Sequence, residues 1–432
     1  MKRVLIITYY WPPSGGGGVM RWLQMSKYLP EFGWQPVIYT PENPDASVVD
    51  ESLMEDVPKE AEIIKTPIWE PYNIYRFFTG KQKNEKFKAG YVAEASKSGI
   101  RDKLSVFIRG NFLIPDPRKF WVKPSVKYLK KYLGGNPVDL IVSTGPPHSM
   151  HLIALGLKQK LNIPWLADFR DPWTHIDFYN TLKLTKWAHR KHFRLEGKVV
   201  TNADVVVTVS NSWAEQFEKD HAKKAQVVTN GFVPEKFNRP IDRFDEQFSI
   251  THIGSFNQDR NPHMFWEALK DLVDEHPEIK DKLLIRLVGQ TDDQIIKSIR
   301  KAGFSDQLEL ISFVKHDRSL DIIRKSQLLL LPLNDTFNAM GIIPGKVFEY
   351  MAAQRPIFVI GPIDGDTAGL ITKSKTGHVN AFADKSGMKA KLLESYELFK
   401  NKELILEENS FNQFSRRELA KQLLELATKH IN

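Results

Sequence analysis

The chain has 432 residues, enough for two or three separate cores, and an ordinary globular make-up, 42% hydrophobic and 26% charged. It contains no cysteine, which excludes disulfides and thiolate metal sites and fits a reducing cytosol. The net charge of +9 is uneven: from Arg76 to Lys131, 15 lysines and arginines stand against 4 acids, an excess of +11 that leaves the remainder at −2.

Met1 to Thr8 has the flavour of a signal peptide. Its apolar run is too short, however, and it leads into four glycines rather than a small-residue cleavage site, so it reads as a first buried strand, Val4–Thr8. The glycines Gly15 to Gly18 open a helix over about Met20–Glu31, and Pro36–Thr40 is the next strand. The segment from about 68 to 124 then breaks the rhythm. It is basic and interleaved with aromatics such as Phe77, Phe107, Phe112, Phe120 and Trp121. Basic plus aromatic character points to an anionic membrane surface or an anionic lipid-linked acceptor, the alternative being a solvated lysine-rich face. Nothing in it matches a nucleic-acid module, and no apolar stretch approaches the roughly 20 residues that span a bilayer.

Strands resume at Leu140–Ser143, Trp165–Asp168 and Val205–Val209, with a helix running to about Lys160. A turn cluster, Asn230 to Pro234, and a polar stretch precede a second series. Its strands are Ser249–Ile253, Leu283–Val288, Leu308–Ser312, Leu328–Leu333 and Ile357–Ile360, and its helices lie at about Pro262–Asp274, Asp292–Ala302 and Leu320–Lys325. The segment from about Lys385 to Asn432 reads as helical throughout. Alternating strands and helices predict α/β domains with parallel, doubly wound sheets. The expected division is 1–200, 201–410, and a closing helix, 411–432, crossing back to the first domain.

Ligands of open α/β sheets bind beyond the carboxyl ends of strands, so residues there carry most weight. Gly16 and Gly17 suit an oxygen-rich ligand or a diphosphate. His148, after Leu140–Ser143, can hydrogen-bond a hydroxyl or serve only as a helix cap; His151 lies nearby, but no third metal ligand has recognisable spacing. Arg170 and Asp171 follow Trp165–Asp168 and are costly to place there unless paired, solvated or used. They are candidates for ordering a substrate, with Asp168 holding the arginine. In Gly341 to Ile357, Pro344 suits a first helical turn, Gly345 admits a ligand close to the backbone, and the helix start favours an anion. Glu349, one turn on, can accept two hydroxyl hydrogen bonds from a ribose.

This last stretch resembles the nucleotide-sugar site of the retaining glycosyltransferases of family 4. The run from Gly254 to Pro262 is similar to the family's Gly-Arg-Leu-x-x-x-Lys-Gly element, with Arg260 at the lysine position and Ser255 at the arginine position. Glu349 matches the second of the family's two spaced glutamates, and the first falls on Gly341. The ordered set covers roughly residues 3 to 380. The resemblance implies a GT-B architecture of two Rossmann-like domains facing across a cleft. It implies a retaining, metal-independent transfer from a nucleotide-diphosphate sugar, with no cofactor and with a glycan or lipid-linked acceptor. It places the diphosphate on Arg260, Gly254 and the backbone of Ile343, Pro344 and Gly345 beside Lys346, the ribose on Glu349, the base on the backbone of Phe313 and Val314, and the transferred sugar on His148. A cytoplasmic protein, peripheral on the inner face of a membrane, is the expected setting. The two rival readings are a nucleotide-sugar epimerase on the same fold and a degenerate transferase that only binds.

Overall fold

The structure, a computed structural model, describes residues 1–432 except 47, 72–99, 239, 242, 313, 405, 407–409 and 432. It divides into two units, residues 1–230 with 416–432, and residues 231–415.

The first unit is built on a seven-stranded, wholly parallel sheet of β1 (Lys2–Ile7), β2 (Trp34–Pro41), β3 (Glu62–Thr66), β4 (Leu140–Gly145), β5 (Trp165–Phe169), β6 (Val205–Thr208) and β7 (Gln226–Val227), in the order β3-β2-β1-β4-β5-β6-β7. Its helices are α1 (Gly17–Ser26), α2 (Ile100–Phe112), α3 (Lys119–Gly135), α4 (Ser149–Leu161), α5 (Lys186–Asn202), α6 (Asn211–His221) and, from the far end of the chain, the segment Arg416–Thr428. Central strands such as Leu140 to Val142 are apolar runs because both faces are covered. One face packs Trp121, Leu129, Ile153 and Val199 from α3, α4 and α5. The other packs Val19, Trp22 and Leu23 of α1 with Leu419 and Leu423.

The second unit has a six-stranded parallel sheet of β8 (Phe248–Ile253), β9 (Leu283–Val288), β10 (Leu308–Ile311), β11 (Leu328–Pro332), β12 (Ile357–Ile360) and β13 (Gly377–Asn380), ordered β10-β9-β8-β11-β12-β13. The helices are α7 (His263–Glu275), α8 (Glu278–Lys282), α9 (Asp293–Lys301), α10 (His316–Lys325), α11 (Lys346–Ala352), α12 (Asp366–Ser374) and α13 (Lys385–Lys400), and the terminal Arg416–Thr428 is α14. In each sheet the order reverses beside the first strand, between β1 and β4 and between β8 and β11, which makes these the crevices where a doubly wound sheet takes ligands.

Three expectations change. Residues 201–230 belong with the first sheet, because β6 pairs with β5 and β7 with β6. The closing segment is not one helix: α13 ends at Lys400, and a 3-10 turn, Ser410–Phe414, precedes α14. The first helix starts earlier, at Gly17, and ends at Ser26, followed by a separate 3-10 turn, Leu29–Phe32, with Pro30 at its start.

Asp168 lies fully buried at the end of β5. It accepts from Arg21 Nη2 at 3.0 Å, Arg21 Nε at 3.1 Å, Trp22 Nε1 at 2.7 Å and Thr144 Oγ1 at 3.0 Å. Arg21, equally buried, also donates to the carbonyls of Val228 and Thr229 at 2.9 and 2.7 Å. Burial opposes ionisation of Asp168, but Arg21 and Trp22 outweigh it and hold its carboxyl below the usual range. The arginine that Asp168 holds is therefore Arg21, not Arg170. Asp168→Ala leaves a guanidinium buried without its counter-ion, a change that typically costs about 3–5 kcal/mol. All tryptophans except Trp266 lie in the first unit, so tryptophan fluorescence in urea reads this loss; a midpoint close to wild type would show that the pair does not hold the unit together.

Candidate functional site

In the second unit the loops after β8 and β11 meet at the switch point. Arg260 Nε, in the loop after β8, donates to Asn334 Oδ1, just past β11. Lys346, the first residue of α11, reaches across: its Nζ donates to the carbonyl of Ile253 and lies 3.3 Å from His252 Nε2. His252 Nδ1 lies 3.0 Å from the Leu330 carbonyl, so Nδ1 carries the proton and Nε2 accepts from the lysine. Burial, and then Lys346, keep His252 neutral, well below the usual histidine range. Burial first, and then Arg260, push the Lys346 amine down to about 7 against the pull of Glu349.

Gly254 has φ +97°, a left-handed conformation suited to glycine, and a Cβ there would lie 3.0 Å from Lys346 Nζ. Gly345 is different. As the residue before α11 it has φ −56°, and a Cβ would meet nothing within 4 Å. The chain itself does not require glycine there, whereas a ligand lying on the backbone would. Pro344 precedes the helix instead of opening it, its carbonyl accepting from Val347 N–H at 3.0 Å. Ile343 is half-buried and packs on the core of this unit, while Val314 and Pro344 are also half-buried. Phe313 lies outside the described residues.

Glu349 is half-buried and already has a partner, His316 Nε2 at 2.8 Å. Burial disfavours protonation of His316, but the Glu349 carboxylate more than offsets it, and the histidine is raised above its ordinary value. The carboxylate keeps lone pairs for hydroxyl donors. Sequence reasoning missed His252, His316 and Asn334. Two of the three obey the strand-end rule that found the others: Asn334 follows β11, and His316 opens the helix after β10.

In the first unit Arg170 performs the same bridging role. Its Nη1 donates to the Gly18 carbonyl at 2.7 Å, its Nη2 to the Pro146 carbonyl, and its backbone N–H to the Gly145 carbonyl at 3.0 Å. It thus joins the loops after β1, β4 and β5. Gly16, with φ +89°, caps α1, and a Cβ at Gly16 or Gly17 would touch nothing, which leaves their backbone open. Burial raises the carboxyl of Asp171 against the pull of neighbouring Arg170.

His148 is buried and stacks on Trp173, ring centroids 4.8 Å apart and 6° from parallel. Its Nδ1 and the Nε2 of His151 are buried without hydrogen-bond partners. A Cβ at Gly145 would lie 2.9 Å from the first and 2.6 Å from the second, so glycine is needed between them. Burial, then His151, hold His148 neutral, well below the usual range. Behind it Trp173 Nε1 donates to His192 Nδ1 at 2.9 Å, and His192 Nε2 donates to the Gly110 carbonyl at 3.2 Å. Asp116 accepts from the backbone and hydroxyl of Ser149, pinning the start of α4. Among the described residues no three His, Asp or Glu side chains converge to hold a metal.

Comparison with known proteins decides the family. Residues 15–236, just over half of the chain, match Glycosyltransferase Family 4, and residues 234–410 match Glycosyl transferases group 1. The chain belongs to glycosyltransferase family 4. No curated protein sequence matches it. This family-4 chain is similar in fold to the sucrose-phosphate synthase from Thermosynechococcus elongatus, at 13% identity and TM-score 0.59 over 100% of this chain and 99% of that one. It is similar to S. aureus TarM, solved in complex with fondaparinux, α-GlcNAc-glycerol and UDP, at 12% identity and TM-score 0.62 over 99% and 100%. A putative UDP-N-acetylglucosamine 2-epimerase from Listeria monocytogenes shares the fold at 11% identity and TM-score 0.56 over 99% and 96%. The two Rossmann-like units thus form the GT-B architecture of this glycosyltransferase superfamily, which serves several reactions of nucleotide sugars.

The depressed Lys346 has a thermodynamic signature in this family-4 enzyme. Between pH 7 and the ordinary lysine value of 10.5, the unfolded chain holds a proton that the folded chain lacks, so this group makes stability rise with pH across that window. Lys346→Met should abolish that rise and make the ligand-free protein more stable at pH 7. Melting temperatures across pH 6 to 10 test this; a methionine variant with the wild-type slope would place the titrating group elsewhere.

Proposed function

We propose that this chain is a retaining, metal-independent glycosyltransferase that moves a sugar from a nucleotide-diphosphate donor to a glycan or lipid-linked acceptor in cell-surface polysaccharide or glycolipid synthesis. The observation that carries the reading is the placing of Arg260 and Lys346 at the β8/β11 switch point, where burial and then Arg260 lower the lysine's pKa more than Glu349 raises it. A diphosphate supplies negative charge there. When the nucleoside diphosphate departs, it gains negative charge, which both cations stabilise in a site held ready beforehand.

In this reading Glu349 takes the ribose, and the backbone at Gly254 and at Ile343 to Gly345 takes the phosphates. The open backbone of Gly16 and Gly17 offers donors to an oxygen-rich ligand, and the backbone at Val314 reads the base. Neutral His148 hydrogen-bonds the transferred sugar, and Arg170 and Asp171 order the acceptor. Retention rests on family membership. The proposed setting is cytoplasmic and peripheral, at the inner face of an anionic membrane; among the described residues no helix is long and apolar enough to cross one.

Incubation with a panel of nucleotide sugars and candidate acceptors, followed by mass spectrometry, tests the reaction. A glycosylated acceptor with the donor's anomeric configuration is the expected product, and an epimerised donor sugar without transfer would move the chain to the epimerase reading. Glu349→Gln should weaken free nucleoside diphosphate and intact donor alike by about 1.5–3 kcal/mol, by losing charge-assisted hydrogen bonds. Arg260→Ala should weaken the diphosphate and spare the nucleoside, while His148→Ala should lower turnover with nucleotide affinity nearly intact. Because only cationic Lys346 attracts phosphate, nucleoside diphosphates should bind more tightly at pH 6 than at pH 8 and take up protons. Calorimetry in buffers of different ionisation enthalpy reads that uptake, and its absence would remove Lys346 from the phosphate site.

A further inference from the structure

The first unit has an opening at the end of its sheet opposite Gly16, His148 and Arg170. A cavity of about 170 Å³ lies against the amino ends of β6 and β7, between the chain that follows α6 and the end of α14. Lys223 and Lys224 line it from one side, Lys429 and His430 from the other, and Asp204 and Leu426 form part of the wall. The one acid among them is engaged: Asp204 accepts from Lys158 Nζ at 3.0 Å and from the Trp165 backbone N–H at 2.7 Å. None of Lys223, Lys224 and Lys429 has an ion pair among the described residues. The ordinary role of lysines here is to offset the carbonyl ends of α6 and α14. Each helix end is equivalent to about half a negative charge, so the two together match about one cation, and the three ammonium groups leave a surplus of about +2 before His430 is counted.

We propose that this cavity is an anion site for a small phosphate-bearing ligand, which clamps the end of α14 to the β6–β7 edge of the sheet. Charge selects the ligand: a phosphate ester carries about −1.5 to −2 at pH 7 and matches the surplus, whereas a chloride or a single carboxylate supplies half of it. Lysine suits the task, since a compact ammonium with three N–H donors on a long stem can meet phosphate oxygens from either wall. Size sets the limit. Sites for drug-sized ligands occupy about 300–1,000 Å³, and a cavity of about 170 Å³ admits a phosphate with a few attached atoms rather than a nucleotide. The two walls lie far apart in the chain. Lys223 and Lys224 lead into β7, the edge strand, while Lys429 and His430 follow the helix whose Leu419 and Leu423 share a core with Val205. β7 has only two residues, Gln226 and Val227, paired with β6, so the edge has little of its own to hold it. An anion bridging the walls adds that hold, and the site does not depend on the proposed transfer reaction.

Amide hydrogen exchange in inorganic phosphate, against chloride at equal ionic strength, reads the clamp. At about ten times the dissociation constant, local openings that destroy the site are suppressed about tenfold, so the amides of Gln226, Val227 and Ala427 to Ile431 should exchange about tenfold more slowly. Phosphate also strengthens burial generally, by exclusion from protein surfaces, so the deciding comparison is between variants. Lys223→Gln with Lys429→Gln should bind phosphate at least about tenfold more weakly, having lost two charge-assisted hydrogen bonds. Arginine at both positions should restore binding. Arg260→Ala with Lys346→Met, which removes those two charges from the β8/β11 switch point, should leave the protection of α14 intact. Tryptophan fluorescence in urea, which reads the first unit, shows that each variant is folded. Glycerol phosphate in place of inorganic phosphate tells an ester ligand, bound more tightly, from the free ion. No protection beyond that in chloride, equal protection in the glutamine variant, or protection lost with the switch-point charges overturns the proposal.

Discussion

Asp168 is the constraint on which the first unit depends. A carboxylate at the end of a strand covered on both faces is tolerable only with its charge matched and its lone pairs filled. Arg21, Trp22 and Thr144 provide both, and they come from the helix after β1 and from β4 itself. The same arginine closes on the carbonyls of Val228 and Thr229, so one ion pair ties β4, β5, α1 and the end of the unit into a fixed relation. The glycine loop before α1 inherits that fixity. Its open backbone at Gly16 and Gly17 is held by a helix that cannot slide without exposing a buried charge, and Arg170 staples it from the other side through Gly18. A loop rich in glycine pays a large conformational entropy to be ordered, and here the ordering comes from its neighbours.

The second unit solves a different problem. The family pattern has two cations and two glutamates, and this chain has serine at one cation position and glycine at one glutamate position. On that resemblance one charge of each sign is missing from the expected pattern. On the proposed reading Lys346 supplies a second cation, from the helix rather than the loop. Its amine is tethered to the Ile253 carbonyl and His252, and burial first, then Arg260, lower it to about 7. On the proposed reading such an amine destabilises the empty site at neutral pH and regains full charge when an anion arrives. The arginine cannot adapt in this way, since a guanidinium does not give up its proton.

Much of the fold was legible because parallel strands buried on both faces are written as apolar runs; Ile357–Ile360 and Leu283–Val288 coincide with the observed strands. What escaped was edge and surface. β7 has two residues, β13 reads Gly-His-Val-Asn, and β3 is half-exposed, so none carries a buried strand's pattern. Helix α5 is so rich in cations that its apolar stripe, Ala188, His192, Val199 and Val200, hides among them. At the site, the strand-end rule placed Arg170, His148, Arg260 and Lys346 where the structure brings loops together. It could not pair them: Asp168 sits two residues from Arg170 and 147 from Arg21, and chooses the distant partner. Pairing follows direction at the strand end. Asp168 ends its side chain inside the sheet layer against α1, whereas Arg170 has left β5 and turns toward the loops.

The His148 loop shows what supports a reactive-looking residue. His148 is held by stacking and by burial, with no hydrogen bond at Nδ1, so its position depends on the planes around it. Those planes have a definite lineage: Trp173 is fixed by His192 and Glu196 on α5, and His192 by the end of α2. A ring held by packing has discrete rather than graded positions, because dense interiors shift by repacking rather than by stretching. One line of contacts from α2 and α5 to His148 runs through the Gly110 carbonyl, His192 and Trp173, and a second through Asp116, which holds the start of α4.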